Sequence, residues 1–382
     1  MDIKQFSINA PGKLVKMPAG YWAFIPNHLP PRLDYLPRLV TVLAEAERGL
    51  GELRGVSEGL VDAKLLLRPF IRMEAVLSSR IEGTKASLED LLISEGTQLA
   101  LFEEKGDVRE VQNYVNALEY GLERMKTLPV SLRLIKEIHA KLMEGVRGEG
   151  LRAGEFRTRQ NWIGPPGATL EDATYIPPPP EEMRRAMGEL EEFLNQAGDV
   201  PALIKLGMAH YQFEAIHPFA DGNGRMGRLL ITLLMSGWDL LPRPVLNLSA
   251  AFEAERQSYY QHLLAVSQSG EWEEWLVFFL DGIKQESRRA IKRTKALEGL
   301  RDRYVKLVRK ERADERLSQA VNALFSSPIL TVRQMEKQLG ISYLAAERCM
   351  QRLIELRILR EITGKARNRI YQADEVLKAL KE

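Results

Sequence analysis

The 382-residue chain carries 54 Lys and Arg against 52 Asp and Glu, a net charge of +2, with 45% hydrophobic and 28% charged residues. These are the proportions of a globular protein with room for two or three domains and a substantial core, and they exclude wholesale nucleic-acid or membrane binding driven by net charge. The single Cys349 excludes an intramolecular disulfide; it falls in a predicted helix, where a half-buried structural thiol is the expectation. No signal-peptide-like run opens the chain and nothing approaches 18 uninterrupted apolar residues, so the expected location is the cytosol, with no membrane partner. The first thirty-odd residues are punctuated by proline and read as an irregular leader ending at PNHLPP. LPRLVTVLAEAERGLGELRG then predicts a long amphipathic helix. PFIRMEAVLSSRIEG, residues 69–83, predicts another, with Ile71, Ala75, Ser78 and Glu82 on one stripe and Gly83 where a C-terminal cap belongs. VREVQNYVNALEYGLERM and SLRLIKEIHAKLM continue the helical pattern.

QNWIGPPGATLEDATYIPPPP breaks it. Two short β-prone runs, Asn161 to Ile163 and Ala173 to Ile176, flank a Gly-Pro-Pro-Gly turn and read as an irregular hairpin. On composition alone this is a proline-closed surface hairpin. Helices resume with PEEMRRAMGELEEFLNQA and PALIKLGMAHYQFEAI. HPFADGNGRMGR, residues 217–228, follows, and RMGRLLITLLMSGW reads as the next helix. Residues 284–317 are heavily charged with sparse apolar positions and suit a long solvated helix. SQAVNALFSS, TVRQMEKQLG and SYLAAERCMQRLIELR are three helix-sized segments, and REITGKARNRIYQA reads as two strands around a Gly-centred turn, together resembling a winged helix-turn-helix.

The stretch 217–228 concentrates chemistry that handles phosphate. Gly222 and Gly224 allow positive φ, so that N–H groups around Asn223 can converge on an oxyanion at the positive end of the following helix. Arg225 and Arg228, spaced i, i+3, leave the first turn on nearly the same face and can fork onto further phosphate oxygens. Asp221, beside them, would be repelled by phosphates unless a divalent cation lay between, and Mg²⁺ takes one or two carboxylates together with phosphate oxygens. His217 is the proton acceptor, its ordinary pKa near 6.5 suiting it to neutral pH. The remaining histidines, His28, His139, His210 and His262, have neither HxxxH spacing nor Cys partners, which argues against zinc; His210 reads as a satisfied core histidine.

HPFADGNGRMGR resembles the HPFx(D/E)GNGRxxR motif of the Fic-domain family at every defined position. The looser likeness extends over most of residues 70–285, through IHAKLMEGVRGEGLRAGEFRTRQNWIG upstream and SYYQHLLAVSQSGEWEEWLVFFL downstream. The resemblance implies AMP transfer from ATP to a hydroxyl side chain of a target protein, with Mg²⁺ on Asp221 and His217 as general base. It implies a nucleotide site of Asp221, Gly222, Asn223, Gly224, Arg225, Met226, Gly227 and Arg228, joined by Ile163 and Gly164 of the hairpin and by Tyr259 and Tyr260, which match a pair bordering the adenine pocket. The hairpin 161–176 would be the flap that holds an extended target segment by strand addition. SSRIEG resembles the family's inhibitory (S/T)xxxE(G/N) motif, in which Glu82 would pair with Arg228 and occupy the place of the γ-phosphate, with Ser78 and Gly83 completing the motif.

The expected architecture is mainly α: a helical Fic core with a β-hairpin flap, plus a C-terminal winged helix-turn-helix. The expected domains are an N-terminal helical region with the inhibitory helix (1–105), the catalytic core (106–290), a charged helical linker (291–317) and the winged helix (318–382). The expected function is that of an autoinhibited protein adenylyltransferase. An excess of about four positive charges over 312–382, including Lys365, Arg367 and Arg369, keeps open a DNA-binding regulator or toxin-antitoxin-like module, with DNA or a protein at the winged helix. Another nucleotide donor and a homodimer are also left open.

Overall fold

The computed structural model describes residues 1–59, 63–97, 106–145, 152–165, 167–310 and 315–381. Pro166 of the flap turn, residues 146–151 before the flap, 98–105 at the end of the N-terminal region and 311–314 of the charged stretch lie outside the described residues. In chain order the elements are β1 (Gly12–Lys16), β2 (Trp22–Pro26), α1 (Pro37–Glu58), α2 (Ala63–Ile81), α3 (Leu88–Thr97), α4 (Gly106–Arg124), α5 (Leu132–Leu142) and α6 (Pro180–Asn195). α7 (Ala202–Ile216), α8 (Asn223–Gly237), α9 (Ser249–Ala254), α10 (Arg256–Ser269) and α11 (Trp272–Lys310) follow. The chain ends with α12 (Glu315–Ser326), β3 (Ile329–Leu330), α13 (Val332–Leu339), α14 (Tyr343–Glu355), β4 (Arg360–Glu361), β5 (Tyr371–Gln372) and α15 (Asp374–Lys381). The fold is predominantly helical, as expected, and among the described residues no helix is long and apolar enough to cross a membrane.

Two compact units cut across chain order. One comprises residues 1–51, 113–242 and 248–285, the other 52–112, 243–247 and 286–382. The first unit is built around α7, whose residues are apolar on nearly every side and accordingly buried on nearly every face. It packs on α6, α8, α10 and β2, while α5 packs on α8 and α6. The stretch expected to be an irregular leader contains the antiparallel hairpin β1–β2, registered from Gly12 opposite Pro26 to Lys16 opposite Trp22. Its prolines sit where a missing N–H breaks no ladder bond: Pro11 before β1, Pro18 in the turn, Pro26 at the last pair. The Phe24 N–H donates to the Ile176 carbonyl at 2.9 Å, and Ala23 packs with Ala173 and Ile176, tying this hairpin to the return strand of the flap.

In the second unit α2 packs on α12 and α3, and α12, α13 and α14 pack on one another. The three strands form one sheet in the order β3-β5-β4, both pairs antiparallel. Thr331 and Gln334 close a capping box at the start of α13, and Gly340 ends it with φ 63. Three elements here were not anticipated: α3, α15, and β3, whose two residues are too short to show alternation. α2 also begins earlier than the sequence suggests and contains Pro69. Proline's fixed φ is helical, but inside a helix it removes one backbone bond and its ring crowds the carbonyl four residues back, a cost of about 3 kcal/mol or more. Ile71, Ala75 and Ser78 are buried, as are Arg72 and Glu74 on other faces, so α2 is a core helix. Arg72 is held by Glu95 of α3 at 2.8 Å.

Candidate active site

α7 ends at His217, whose φ of 51° and ψ of 60° lie in the left-handed region, a conformation that costs a residue with a Cβ about 1–3 kcal/mol. Several bonds hold it there. Its N–H donates to the Phe213 carbonyl at 3.0 Å, and its own carbonyl accepts from Arg157 Nε at 2.9 Å and Asn161 Nδ2 at 3.3 Å. His217 Nδ1 lies 3.2 Å from the Glu214 carbonyl. A carbonyl can only accept, so the proton of the neutral ring is on Nδ1, which makes Nε2 the basic nitrogen.

The loop beyond it is braced from within. Asn223 Oδ1 accepts the Phe219 N–H and Asn223 Nδ2 donates to the Phe219 carbonyl, both at 2.8 Å. Asn161 Nδ2 donates to the same carbonyl at 2.9 Å. The Asn223 side chain is therefore engaged by the loop it closes. Gly222 takes φ 76 as expected, but Gly224 does not have positive φ; it lies inside α8, which starts two residues earlier than the predicted helix. With Gly222 as its N-cap, α8 has no side-chain cap, so its first-turn N–H groups form the dipole-positive end that the sequence reading placed here.

Arg225 and Arg228 are 4% and 1% exposed, and they diverge in their surroundings. Arg225 reaches Met143 Sδ at 3.7 Å. Arg228 lies close to the phenol of Tyr259, whose hydroxyl lies 2.8 Å from His210 Nε2. Tyr259 is fully buried and stacked on Phe252 at 4.6 Å, so the expected tyrosine pair separates: Tyr259 supports Arg228, and Tyr260 is the one that is 40% exposed, with Arg256 over its ring at 5.8 Å. Burial and the nearby Glu214 carboxylate hold the Tyr259 phenol well above its ordinary value. Met226 is fully buried, and its N–H bonds the Gly222 carbonyl within the first helical turn. At Gly227 a Cβ would come within 2.2 Å of Glu214 Oε1, so this glycine allows α8 to approach α7.

Burial is also the main reason that His210 is depressed to about 3, with the Arg228 charge adding to it. Below its ordinary value of 6.5 the unfolded chain takes up a proton that the folded chain refuses. Stability is thus fully present above pH 6.5 and falls as the pH drops toward 3, by up to about 1.4 kcal/mol per pH unit. Urea midpoints measured from pH 6.5 to 5 should fall more steeply in the parent than in His210→Gln; parallel curves would show that His210 does not carry this dependence.

Of the expected hairpin the described residues show a single antiparallel bridge, Ile163 to Tyr175, and neither run is a regular strand. The Ile163 N–H donates to the Tyr175 carbonyl at 2.9 Å and its carbonyl accepts from the N–H groups of Thr174 and Tyr175. Because successive residues of an extended strand turn their main chains to opposite sides, Trp162 and Gly164 direct theirs away from the return strand. Trp162 and Ile163 are 41% and 36% exposed, and the Trp162 indole N–H is pinned to the Ala168 carbonyl at 2.9 Å. Tyr175 anchors the hairpin through its hydroxyl to the Ala215 carbonyl of α7 at 2.9 Å.

Sequence reasoning missed three residues that build this site: Arg157, Asn161 and His139. Arg157 is buried and bridges the His217 and Pro178 carbonyls. None of them lies in the motif 217–228; all three fall in the looser upstream likeness, and each acts on backbone groups far along the chain. Ser78, Glu82 and Gly83 belong to the second unit. Ser78 is buried and Glu82 exposed, and Gly83 takes φ 96 while the Thr84 N–H returns to the Ser79 carbonyl at 3.2 Å, the helix-end geometry expected of a glycine cap.

Asp221 places Oδ1 2.6 Å from the Gly222 N–H, and its side chain is half-buried. Among the described residues no group of three His, Cys, Asp or Glu side chains could hold a metal by itself. One carboxylate beside the uncapped start of α8 fits Mg²⁺ shared with phosphate oxygens, and does not fit a dedicated protein cage.

Family models match two parts of the chain, that of the Fic/DOC family over residues 129–235 and that of the Fic/DOC family N-terminal region over 40–123. Two curated relatives, both named protein adenylyltransferase Fic, are those of Drosophila grimshawi and Drosophila mojavensis, 28% and 29% identical over 202 residues. Each match covers 52% of this chain but only 37% and 35% of the relative's own length. Among solved structures, a Fic family protein from Desulfovibrio desulfuricans aligns over 90% of this chain and 98% of its own, with a TM-score of 0.58 at 20% identity. Fic-1 (residues 134–508) from C. elegans aligns over 68% of this chain and 74% of its own, with a TM-score of 0.53 at 21% identity.

Proposed function

This chain belongs to the Fic/DOC family, and from that premise we propose that it is a protein adenylyltransferase, moving AMP from ATP to a hydroxyl side chain of a target protein. The observation that carries this reading is the His217 ring, with Nδ1–H directed to the Glu214 carbonyl so that Nε2 is the basic nitrogen, at the head of the loop that opens α8. In the proposed reaction Nε2 takes the proton of the target hydroxyl as its oxygen attacks the α-phosphorus, and the bond to pyrophosphate breaks. The N–H groups at the start of α8 and the guanidinium groups of Arg225 and Arg228 face the phosphates and offset their charge. Asp221 is the residue that would hold Mg²⁺, which when bound neutralises phosphate charge. The target would lie as an added strand along the Trp162–Gly164 edge, whose main-chain groups turn away from the return strand.

We read the second unit as regulatory. Glu82 at the end of α2 would pair with Arg228 in the place of the γ-phosphate, and the module from α12 to β5, in the order of a winged helix-turn-helix, would serve as an interaction module. Intact-mass spectrometry tests the reaction: Glu82→Gly protein incubated with Mg²⁺ and ATP should gain the mass of AMP on itself or on a bait protein. A gain with another nucleotide alone would replace the donor, and no gain with any nucleotide would overturn the assignment.

A further inference from the structure

His139 lies on α5, outside the motif, and touches both halves of the site at once. Its ring lies flat on Phe219, centroids 3.6 Å apart and planes within 3°. Nδ1 accepts the Gly154 N–H at 2.9 Å, and Nε2 lies 2.9 Å from the Asp221 carbonyl. The first partner can only donate and the second can only accept, so the ring carries one proton, on Nε2. The same face of α5 forms the floor for both segments. A Cβ on Gly154 (φ 83) would meet Ala140 Cβ at 2.9 Å and the Lys136 carbonyl at 3.1 Å, and a Cβ on Gly222 would meet Met143 Sδ at 2.7 Å and His139 Nε2 at 3.4 Å. Residues 136, 139, 140 and 143 are one helical stripe.

We propose that His139 is a positioning residue for the transfer reaction, locking the stem of the flap and the phosphate-facing loop into one frame through its Nε2–H tautomer. The proposal rests on the function proposed above. The Asp221 carbonyl belongs to the peptide unit that leads into Gly222, so fixing it sets the direction of the N–H groups that open α8. The Gly154 bond sets where the chain departs toward Arg157 and Asn161, which in turn hold His217. His139 touches no reacting atom; its action is to keep hydroxyl, base and phosphorus in line, and small misplacements of such groups lower rates steeply.

Two substitutions separate this role from bulk packing. His139→Phe keeps a ring against Phe219 but removes both hydrogen bonds, and His139→Gln retains an amide able to donate to the Asp221 carbonyl. In the Glu82→Gly background, the Phe variant should lose about tenfold or more in kcat while its KM for ATP stays within about threefold, and the Gln variant should recover part of the loss. In ¹⁵N-labelled Glu82→Gly protein without nucleotide, the His139 ring should give the Nε2–H tautomer pattern. Trypsin should cut after Arg152 and Arg159 about tenfold faster in the Phe variant than in its parent. An unchanged kcat in the Phe variant, or an Nδ1–H or doubly protonated ring, would overturn the proposal. If Glu82→Gly itself transfers no nucleotide, the proposed function fails instead; the tautomer and the cleavage rate, which need no nucleotide, then decide whether His139 locks the two segments.

Discussion

Replacing His217 by alanine in a Glu82→Gly background is expected to lower AMP transfer by about 10²- to 10⁴-fold, the range a positioned general base contributes. The ring is oriented by its Nδ1–H bond to the Glu214 carbonyl, and its backbone is held in a strained conformation by Phe213, Arg157 and Asn161. A residue so heavily constrained at the mouth of an uncapped helix is arranged for geometry rather than for stability. Alanine removes the ring and leaves those backbone bonds in place. Nucleotide affinity should therefore change little, and the melting temperature should move by only a few degrees. Initial rates of labelled-AMP incorporation measure the loss, and transfer at the parent rate would show that another group takes the proton.

Glu82→Gly should raise transfer above the wild-type rate by roughly ten- to a hundredfold. A charge-assisted hydrogen-bonded contact is worth about 1.5–3 kcal/mol, and each 1.4 kcal/mol is a factor of ten. The motivating observations are the Ser78 to Gly83 sequence, the helix end formed by Gly83, and the burial of the Arg228 guanidinium beside Tyr259. Gly83 already provides the positive φ at this helix end, so a second small residue before it should not disturb α2. The comparison is incorporation of labelled AMP by the two proteins at equal concentration and saturating ATP. Equal rates would remove Glu82 from any inhibitory role.

Much of the helical fold was legible because its signals are local. α5 begins where Ser131 caps it, α13 between Thr331 and Gly340, and α14 at Ser342, as propensity and capping chemistry dictate. The hairpin β1–β2 was not legible because prolines at its ends and turn mimic a leader, and the segment it packs on, residues 173–176, lies far along the chain. Within the site, the linear order of His217, Asp221 and the two arginines was readable, since chemistry and spacing both lie in one short segment. The separate fates of Tyr259 and Tyr260 were not, because adjacent helical residues point in different directions and only packing decides which is buried.

From the amino-acid sequence by itself came the family, the order of most helices and the reactive segment 217–228, because helix caps, hydrophobic period and a contiguous motif depend on residues within a few positions of one another. Tertiary structure alone decided what steadies that segment: His139 under Asp221, Asn161 and Arg157 on the His217 carbonyl, Tyr259 behind Arg228. It also decided that α2 packs on α12, far along the chain. These are hydrogen bonds and contacts to backbone groups and buried faces, which any donor or apolar side chain of the right reach can satisfy, so residue identity carries no mark of the partner until the chain has folded.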